Sequence, residues 1–477
     1  MLFNSFAFLV FLPVVFLLYW FVFRGRREQN LLIVVASYVF YGWWDWRFLF
    51  LIALTSACSY ASGLLIAHYE GHRKSQRLVS AANIVFNLSI LGVFKYYGFF
   101  IDNLRALFAL IGWQLDVVTL QIILPVGISF YTFQALSYTI DVYRGQLPAT
   151  RDIIGFFAYI SFFPQLVAGP IERATNLLPQ FQTARRFDYA KAADGCRQAL
   201  WGFVKKILIA DPCGQLVNAY WGQGTLYGVS IIMLWVLFAF QIYCDFSGYS
   251  DIAIGCARLF GFDLMRNFST PYFSRSIPEF WRRWHISLTT WFRDYIYFPL
   301  GGSRCSRGKT IRNIFIVWCV SGLWHGADWT FVCWGLYHAV LLLAYNLLGI
   351  QTKHAHIVAH GRLLPSLKEI FHMLCTFMLA VIGWCIFRAE SMGQVVDIFS
   401  ALFHNPFIDM SFVYGSPQFA CCLVLLAVEW WRREKRHALE TMTPWPILNW
   451  TLYAVLVFFA MAFGASSVDS DFIYFQF

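Results

Sequence analysis

His325 is the residue whose type and setting point most directly to chemistry. It lies within residues 321–329, and long apolar stretches flank this segment on both sides. An imidazole at membrane depth is costly unless it has a task there, and a side chain that titrates near neutrality can accept and return a proton. A packed, hydrogen-bonded structural histidine is the alternative. The neighbours favour chemistry, because Gly322 and Gly326 free the backbone and Asp328 adds an ionisable group that could orient the ring.

His285 is the second candidate, in a segment rich in tryptophan and arginine (residues 278–295). If this segment is one helix at about 100° per residue, then Arg282, Arg283 and Arg293 share a polar arc opposite the aromatic face. His285 lies at the seam between the two faces. Such a helix is predicted to lie along the membrane interface, where lipid anchoring alone explains the arginines. The alternative is that they attract an anionic acyl donor, such as a diphosphate-bearing thioester.

The elements that must position these residues are membrane helices. Of the 477 residues, 59% are hydrophobic and only 13% are charged, whereas soluble proteins carry about 25% charged residues. Apolar windows long enough to span a bilayer predict a polytopic all-α membrane protein with about 11–13 membrane helices. Several windows are short, which predicts re-entrant or interfacial helices around a central tunnel. The first window, residues 5–23, is expected to be a retained helix whose N-terminus lies outside the cytoplasm.

The middle third of the chain is polar where apolar residues are expected. Residues 241–251, for example, place Asp245 and Asp251 beside an apolar run. Such groups face a bundle interior or a water-filled passage, although pairing between helices is a structural alternative. No separate soluble domain can be delimited. We therefore expect residues 1–477 to form a single integral membrane domain, with a motif-bearing core at about residues 120–350.

Charge and cysteine content exclude other classes. The net charge of +10 is typical of lysine and arginine held in cytoplasmic loops against anionic lipid, rather than of nucleic-acid binding. The 12 cysteines have no metal-ligand spacing, so neither a metal site nor disulfides are predicted. The sequence also lacks the nucleophile-elbow, phosphate-loop, dinucleotide and zinc-protease motifs. No resident cofactor is expected.

Several motifs, in order, resemble the membrane-bound O-acyltransferases, in the branch of the bacterial alginate O-acetyltransferase membrane subunit. They are residues 125–134, 168–171, 243–251, 281–285, 291–295, 324–326 and 334–338. The likeness runs from the N-terminus to about residue 350 and continues more weakly to the end. It is specific for the family and much less specific for the substrate.

The resemblance implies that His325 is catalytic and that His285 is the second active-site residue. It implies transfer of an acetyl group from a cytoplasmic donor, expected to be acetyl-CoA, across the bacterial inner membrane. Periplasmic partners of esterase-like fold then place it on an exported polysaccharide, most simply alginate. His325 would take the proton of an acceptor hydroxyl and return it to the leaving thiolate, while His285 would hydrogen-bond the thioester oxygen.

Other functions remain open at this point. Within the enzyme class, the alternatives are a D-alanyl transferase for teichoic acid and acetyl transfer to cellulose or peptidoglycan. A polysaccharide transporter would explain the buried polar residues equally well, but transporters commonly have internal repeats and this sequence shows none. A non-catalytic scaffold that recruits periplasmic enzymes is the third class.

Overall fold

The computed structural model describes residues 1–114, 123–222, 226, 228–348, 356–404, 417–464 and 472–473. Over these ranges the chain is helical and contains no β-strand, which confirms the all-α prediction. The contacts divide it into two compact units. The first comprises Met1–Ala192 with Cys256–Met265, and the second comprises Ala193–Gly255 with Arg266–Phe477. The single domain expected over residues 1–477 stays a prediction, and residues 120–122 of its expected core lie outside the described ranges.

The first unit consists of helices that pack against one another. They are α1 (Phe6–Leu17), α2 (Arg26–Asp45), α3 (Leu49–His68), α4 (Arg73–Leu91), α5 (Tyr97–Leu110), α6 (Ile128–Tyr143), α7 (Ile153–Ser161), α8 (Phe163–Leu166) and α9 (Ala174–Gln182). Helix α6 is buried along nearly its whole length. Its Thr139 hydroxyl accepts a 2.7 Å hydrogen bond from Asn83 of α4 and lies 3.1 Å from the Ser62 hydroxyl of α3. Polar residues therefore hold helices together in this unit.

The second unit contains both candidate histidines. Its helices are α10 (Tyr189–Lys205), α11 (Asp211–Tyr220), α12 (Val229–Leu259), α13 (Ile277–Arg283), α14 (Ile286–Phe292), α15 (Arg307–His325), α16 (Trp329–Leu347), α17 (Leu367–Arg388), α18 (Met392–His404), α19 (Gln418–Trp431) and α20 (Pro446–Gly464). The first residues of α10 and the last residues of α12 belong to the first unit.

Among the described residues, six helical stretches are long and apolar enough to cross a membrane. They are Arg26–His68, Arg73–Leu110, Val229–Leu259, Trp329–Leu347, Leu367–Arg388 and Pro446–Phe463. Shorter apolar helices lie at Phe6–Val22, Met392–Phe403 and Gln418–Trp431. The window in Pro446–Phe463 is only 6% buried by protein, as expected of a helix whose side chains face lipid. The chain is a multi-pass membrane protein.

Helices α15 and α16 form a hairpin that places His325 at its turn. α15 ends at His325 because Gly326 is extended, and α16 begins after Asp328. The two helices approach closely at Gly322, where a Cβ atom would collide with the Phe331 carbonyl oxygen. Gly335 meets the Trp318 carbonyl oxygen in the same way. Glycine at these two positions therefore lets the hairpin close around the histidine.

The single amphipathic helix predicted over residues 278–295 is wrong. α13 ends at Arg283, Trp284 is extended, and His285 has a left-handed backbone with φ of 44° before α14 begins. The preceding segment explains the break. The Ser269 N–H donates to the Arg283 carbonyl and the Ile286 N–H donates to the Asn267 carbonyl, each at 2.9 Å. These bonds occupy backbone groups that a continuous helix would pair internally, so the predicted wheel does not hold beyond Arg283.

Candidate active site

A cavity of about 510 Å³ lies among α13, α14, α15 and α16, all within the second unit. One face of α15 contributes Ile314, Trp318, Ser321 and His325, which recur every three to four residues as one face of a helix must. The apolar part of the lining includes Trp281, Leu288, Phe292, Trp318, Leu342 and Tyr345. An apolar cavity with a few polar groups at fixed positions is the usual form of a small-molecule site.

His325 lines this cavity and is otherwise buried, with 5% of its surface exposed. Its ring packs edge-on against Trp324 and Trp334, both at 4.9 Å between centroids, and against Phe387 at 5.4 Å. These aromatic rings restrict the imidazole to a narrow range of orientations. The cavity therefore presents an imidazole that aromatic rings hold in place.

Two of the three predicted arginines also line the cavity. Arg282 and Arg293 are exposed side chains on its wall, and Arg293 makes a 2.7 Å ion pair with Asp294. Guanidinium groups beside an apolar cavity suit a ligand with an apolar or extended body and an anionic end. The cavity thus combines the histidine and two cations predicted from the sequence.

Arg283 is placed differently from its neighbour. Its Nη2 atom lies 2.8 Å from Oε1 of Glu279, which is 2% exposed, and Glu279 also pairs with Arg275 at 3.0 Å. Burial alone would raise the pKa of Glu279, but hydrogen bonds from Arg275 and the charge of Arg283 hold it below the usual value. The observed partner of Arg283 is therefore a structural carboxylate, and it does not belong to the residues that line the cavity.

His285 lies in the wall rather than on the cavity surface. Its side chain is buried, and its Nδ1 atom is 3.0 Å from Oδ1 of Asn267. The ring packs against Phe246 at 4.6 Å and against Trp324 at 6.0 Å. Trp324 thus contacts both histidines. Burial lowers the pKa of His285 to about 3, so its imidazole is neutral at physiological pH.

The hydrogen-bond partners of Asp328, His338 and Asn267 bear on the roles of the histidines. The Asp328 carboxylate accepts the Thr330 N–H at 2.8 Å and caps α16, so its observed partner is the helix rather than the His325 ring. His338 accepts a hydrogen bond from Trp281 Nε1 at 3.3 Å. Sequence reasoning missed Asn267, because its partner is 18 residues away and no local pattern marks the pair.

The polar segment 241–251 forms a separate cluster in the same unit. Lys205 pairs with Asp251 at 2.6 Å, and Lys206 bridges Asp211 at 2.8 Å and Asp245 at 2.7 Å. A polar cavity of only about 40 Å³ lies beside Lys205 and Asp251. Here the observed carboxylates are paired between helices. In the described part of the chain, no three His, Cys, Asp or Glu side chains group as a metal site would require.

Comparison of the sequence with known proteins identifies the family of this chain. Residues 38–387 match the membrane-bound O-acyltransferase family. The chain is 43% identical to the "Probable alginate O-acetylase AlgI" of Pseudomonas aeruginosa, over 84% of this chain and 75% of that protein. It is 30% identical to the peptidoglycan O-acetyltransferase of Helicobacter pylori, over 100% of this chain and 98% of that protein.

A more distant relative is the teichoic acid D-alanyltransferase of Bacillus subtilis, which is 29% identical over 52% of this chain. The family match covers the segment that contains His285, His325 and the whole cavity between α13 and α16. The resemblance predicted from the motifs is therefore confirmed. The chain belongs to the membrane-bound O-acyltransferase family and is an O-acyltransferase.

Proposed function

We propose that this chain takes an acetyl group from acetyl-CoA at the cytoplasmic face of the bacterial inner membrane and passes it outward for O-acetylation of alginate. The observation that carries the proposal is the cavity in which His325 lies at the turn of the α15–α16 hairpin while Arg282 and Arg293 line the wall. The acceptor is taken from relatives that are 41–43% identical and are named as alginate O-acetylases.

The length of the cavity suits a donor with a long arm. From Ile314 to His325, both lining residues, α15 rises about 16 Å. The basic segment at the start of α15 is assigned to the cytoplasm by the positive-inside rule. A thioester could therefore enter with its phosphates near the arginines and its carbonyl near His325. The apolar walls would hold the arm between these two ends.

His325 would act as the general base within this cavity. It removes the proton from an acceptor hydroxyl as the oxygen attacks the thioester carbonyl, and it then protonates the departing thiolate. Positioned acid–base groups of this kind contribute typically about 10²–10⁴-fold to the rate. Exclusion of water by Trp324, Trp334 and Phe387 would limit hydrolysis of the thioester.

The polymer lies beyond the membrane, so the acetyl group needs a carrier on the far side. We propose that periplasmic proteins of esterase-like fold receive it and transfer it to sugar hydroxyls. Peptidoglycan is the second candidate acceptor, because the Helicobacter pylori relative named for that activity aligns over 100% of this chain.

The acceptor and the role of His325 can be tested together in cells. A strain that lacks this protein is complemented with the native chain or with His325→Ala, and the acetyl content of secreted alginate and of peptidoglycan is measured by NMR. The native chain should restore alginate acetylation, and His325→Ala should leave the polymer exported in normal amount but unacetylated. Restored peptidoglycan acetylation alone would transfer the proposal to the second acceptor. Loss of export would indicate a transporter, and full acetylation with His325→Ala would indicate a scaffold.

A further inference from the structure

Asn267 lies behind the ring of His285 and is completely buried. We propose that Asn267 is a positioning residue that fixes His285, in the wall of the His325 cavity, in the tautomer with hydrogen on Nδ1, so that Nε2 is the acceptor atom of the ring. This reverses the role expected from the sequence, in which His285 donates a hydrogen bond to the thioester oxygen. The inference rests on the proposed function, because it concerns the same site.

The orientation of the Asn267 amide follows from its other partners. The Ser287 N–H approaches Oδ1 at 3.4 Å and the Ser287 hydroxyl donates to it at 3.0 Å, while Nδ2 donates to the Ser250 hydroxyl at 3.1 Å. A backbone N–H can only donate, so the atom that faces Ser287 is the amide oxygen. The same oxygen lies 3.0 Å from Nδ1 of His285.

The tautomer of His285 follows from this orientation. An amide oxygen accepts and cannot donate, so the hydrogen between the two atoms must be on Nδ1. In a neutral imidazole the lone pair is then on Nε2. Burial lowers the pKa of His285 to about 3, and Asn267, Phe246 and Trp324, which are among the side chains that contact it, are uncharged. The ring therefore stays neutral, and its Nε2 atom can take a hydrogen but has none to give.

The backbone supports the same conclusion. His285 has a left-handed φ of 44°, which is unfavourable for a residue with a side chain and persists only where the surroundings enforce it. Asn267 supplies part of that constraint, since its carbonyl accepts the Ile286 N–H at 2.9 Å. One residue thus holds both the backbone and the ring of His285. Such strain is common where a side chain must be aimed at a site.

The direct test is ¹⁵N NMR of the native protein labelled at histidine and purified in detergent, with His285 assigned by its absence in His285→Gln. The expected result is a neutral ring with hydrogen on Nδ1. A ring with hydrogen on Nε2 would overturn the proposal. This measurement needs no substrate. If the native protein shows the expected tautomer but transfers no acetyl group from acetyl-CoA, the proposed function fails while this inference stands.

Two variants and a control give the kinetic test, made on equal amounts of membrane-inserted protein. Asn267→Leu should lower kcat on the order of 10²-fold with KM for acetyl-CoA unchanged. Asn267→Asp keeps an acceptor oxygen, and its charge favours the protonated ring, so the pKa of His285 read from its ¹⁵N signals should rise by about 1–3 pH units. Ser250→Ala, which removes only the Nδ2 partner, should leave that pKa in place. An unmoved His285 pKa in Asn267→Asp, or native kcat in Asn267→Leu, would contradict the proposal.

Discussion

Two polar regions of the second unit differ in where their charged side chains lie. In the cluster around segment 241–251, Lys205 and Lys206 lie within 2.6–2.8 Å of their carboxylate partners, beside a cavity of about 40 Å³. In the His325 cavity, about 510 Å³ of largely apolar space is lined by two arginines and a histidine. The same anomaly in the sequence, polar residues among apolar spans, therefore has two origins. One set of polar residues pairs helices with one another, and the other lines an apolar cavity.

The two regions should respond differently to mutation. Removing one member of a buried ion pair leaves a charge without compensation and weakens folding. Removing a residue that lines a binding cavity should instead change kinetics and leave the protein in the membrane.

His325→Ala should give the largest change in activity. Loss of the proposed general base is expected to lower kcat by about 10²–10⁴-fold, with the protein still present in the membrane at its native level. Acetyl transfer in isolated membranes, normalised to protein amount, measures this. His72→Ala, at an exposed histidine that directly precedes α4, is the matched control and should be neutral. Equal loss in both variants, or loss of the His325→Ala protein itself, would remove the distinction between the regions.

Lys206→Met should act on stability rather than on kinetics. It leaves Asp211 and Asp245 facing each other without their shared cation, and breaking a buried pair costs about 3–5 kcal/mol. The variant should unfold at lower temperature in detergent and accumulate poorly in the membrane. Normal stability in this variant would show that the cluster is not structural.

The same ion bridge has a defined pH dependence. Burial lowers the pKa of Lys206, but the charges of Asp245 and Asp211 raise it above the model-peptide value, to about 12. Because the folded-state pKa exceeds the unfolded value of about 10.4, the stabilisation is fully present below that pH. It is lost as pH rises toward 12. Native protein should therefore lose thermal stability in that alkaline window, and Lys206→Met should lose less.

Arg282 and Arg283 are adjacent in sequence, but Arg282 lines the cavity whereas Arg283 pairs with Glu279. Arg282→Gln removes a cation from the cavity wall and should raise KM for acetyl-CoA by about 10-fold, with stability unchanged, if it contributes a charge-assisted bond of about 1.5 kcal/mol. Arg283→Gln removes one partner of the buried Glu279 and should lower thermal stability instead. Thermal unfolding and acetyl-CoA titrations of both variants decide this. If both variants raised KM with unchanged stability, or both lost stability with unchanged KM, the placement of Arg282 in the cavity wall and of Arg283 in a structural ion pair would be contradicted.

Asp328→Ala should give the smallest effect. The carboxylate caps α16, so its loss should cost about 1 kcal/mol of stability and leave the pH dependence of acetyl transfer unchanged. A shifted pH profile would instead support the ring-orienting role predicted from the sequence.

The sequence predicts some parts of the site better than others. His325 is the last of the residues on one face of α15 that are spaced three to four apart, and Gly326 directly follows it. The helix and its C-terminal end can therefore both be predicted from the local sequence. The pairing of Arg283 is also marked, since Glu279 lies four residues earlier and that spacing favours ion pairs on a helix. The break at His285 has no such local mark. It is fixed by backbone bonds from Asn267 and Ser269, which only the folded chain brings together.

We propose above that the His325 cavity receives an acetyl group from a cytoplasmic thioester and releases it on the periplasmic side of the membrane. The most direct measurement uses inside-out membrane vesicles that contain the native chain, with acetyl-labelled acetyl-CoA outside and the periplasmic partners with alginate enclosed. We predict that label appears on enclosed alginate with the native chain and stays at background with His325→Ala. Equal labelling by both chains, or labelling only when acetyl-CoA is enclosed with the polymer, would contradict the claim.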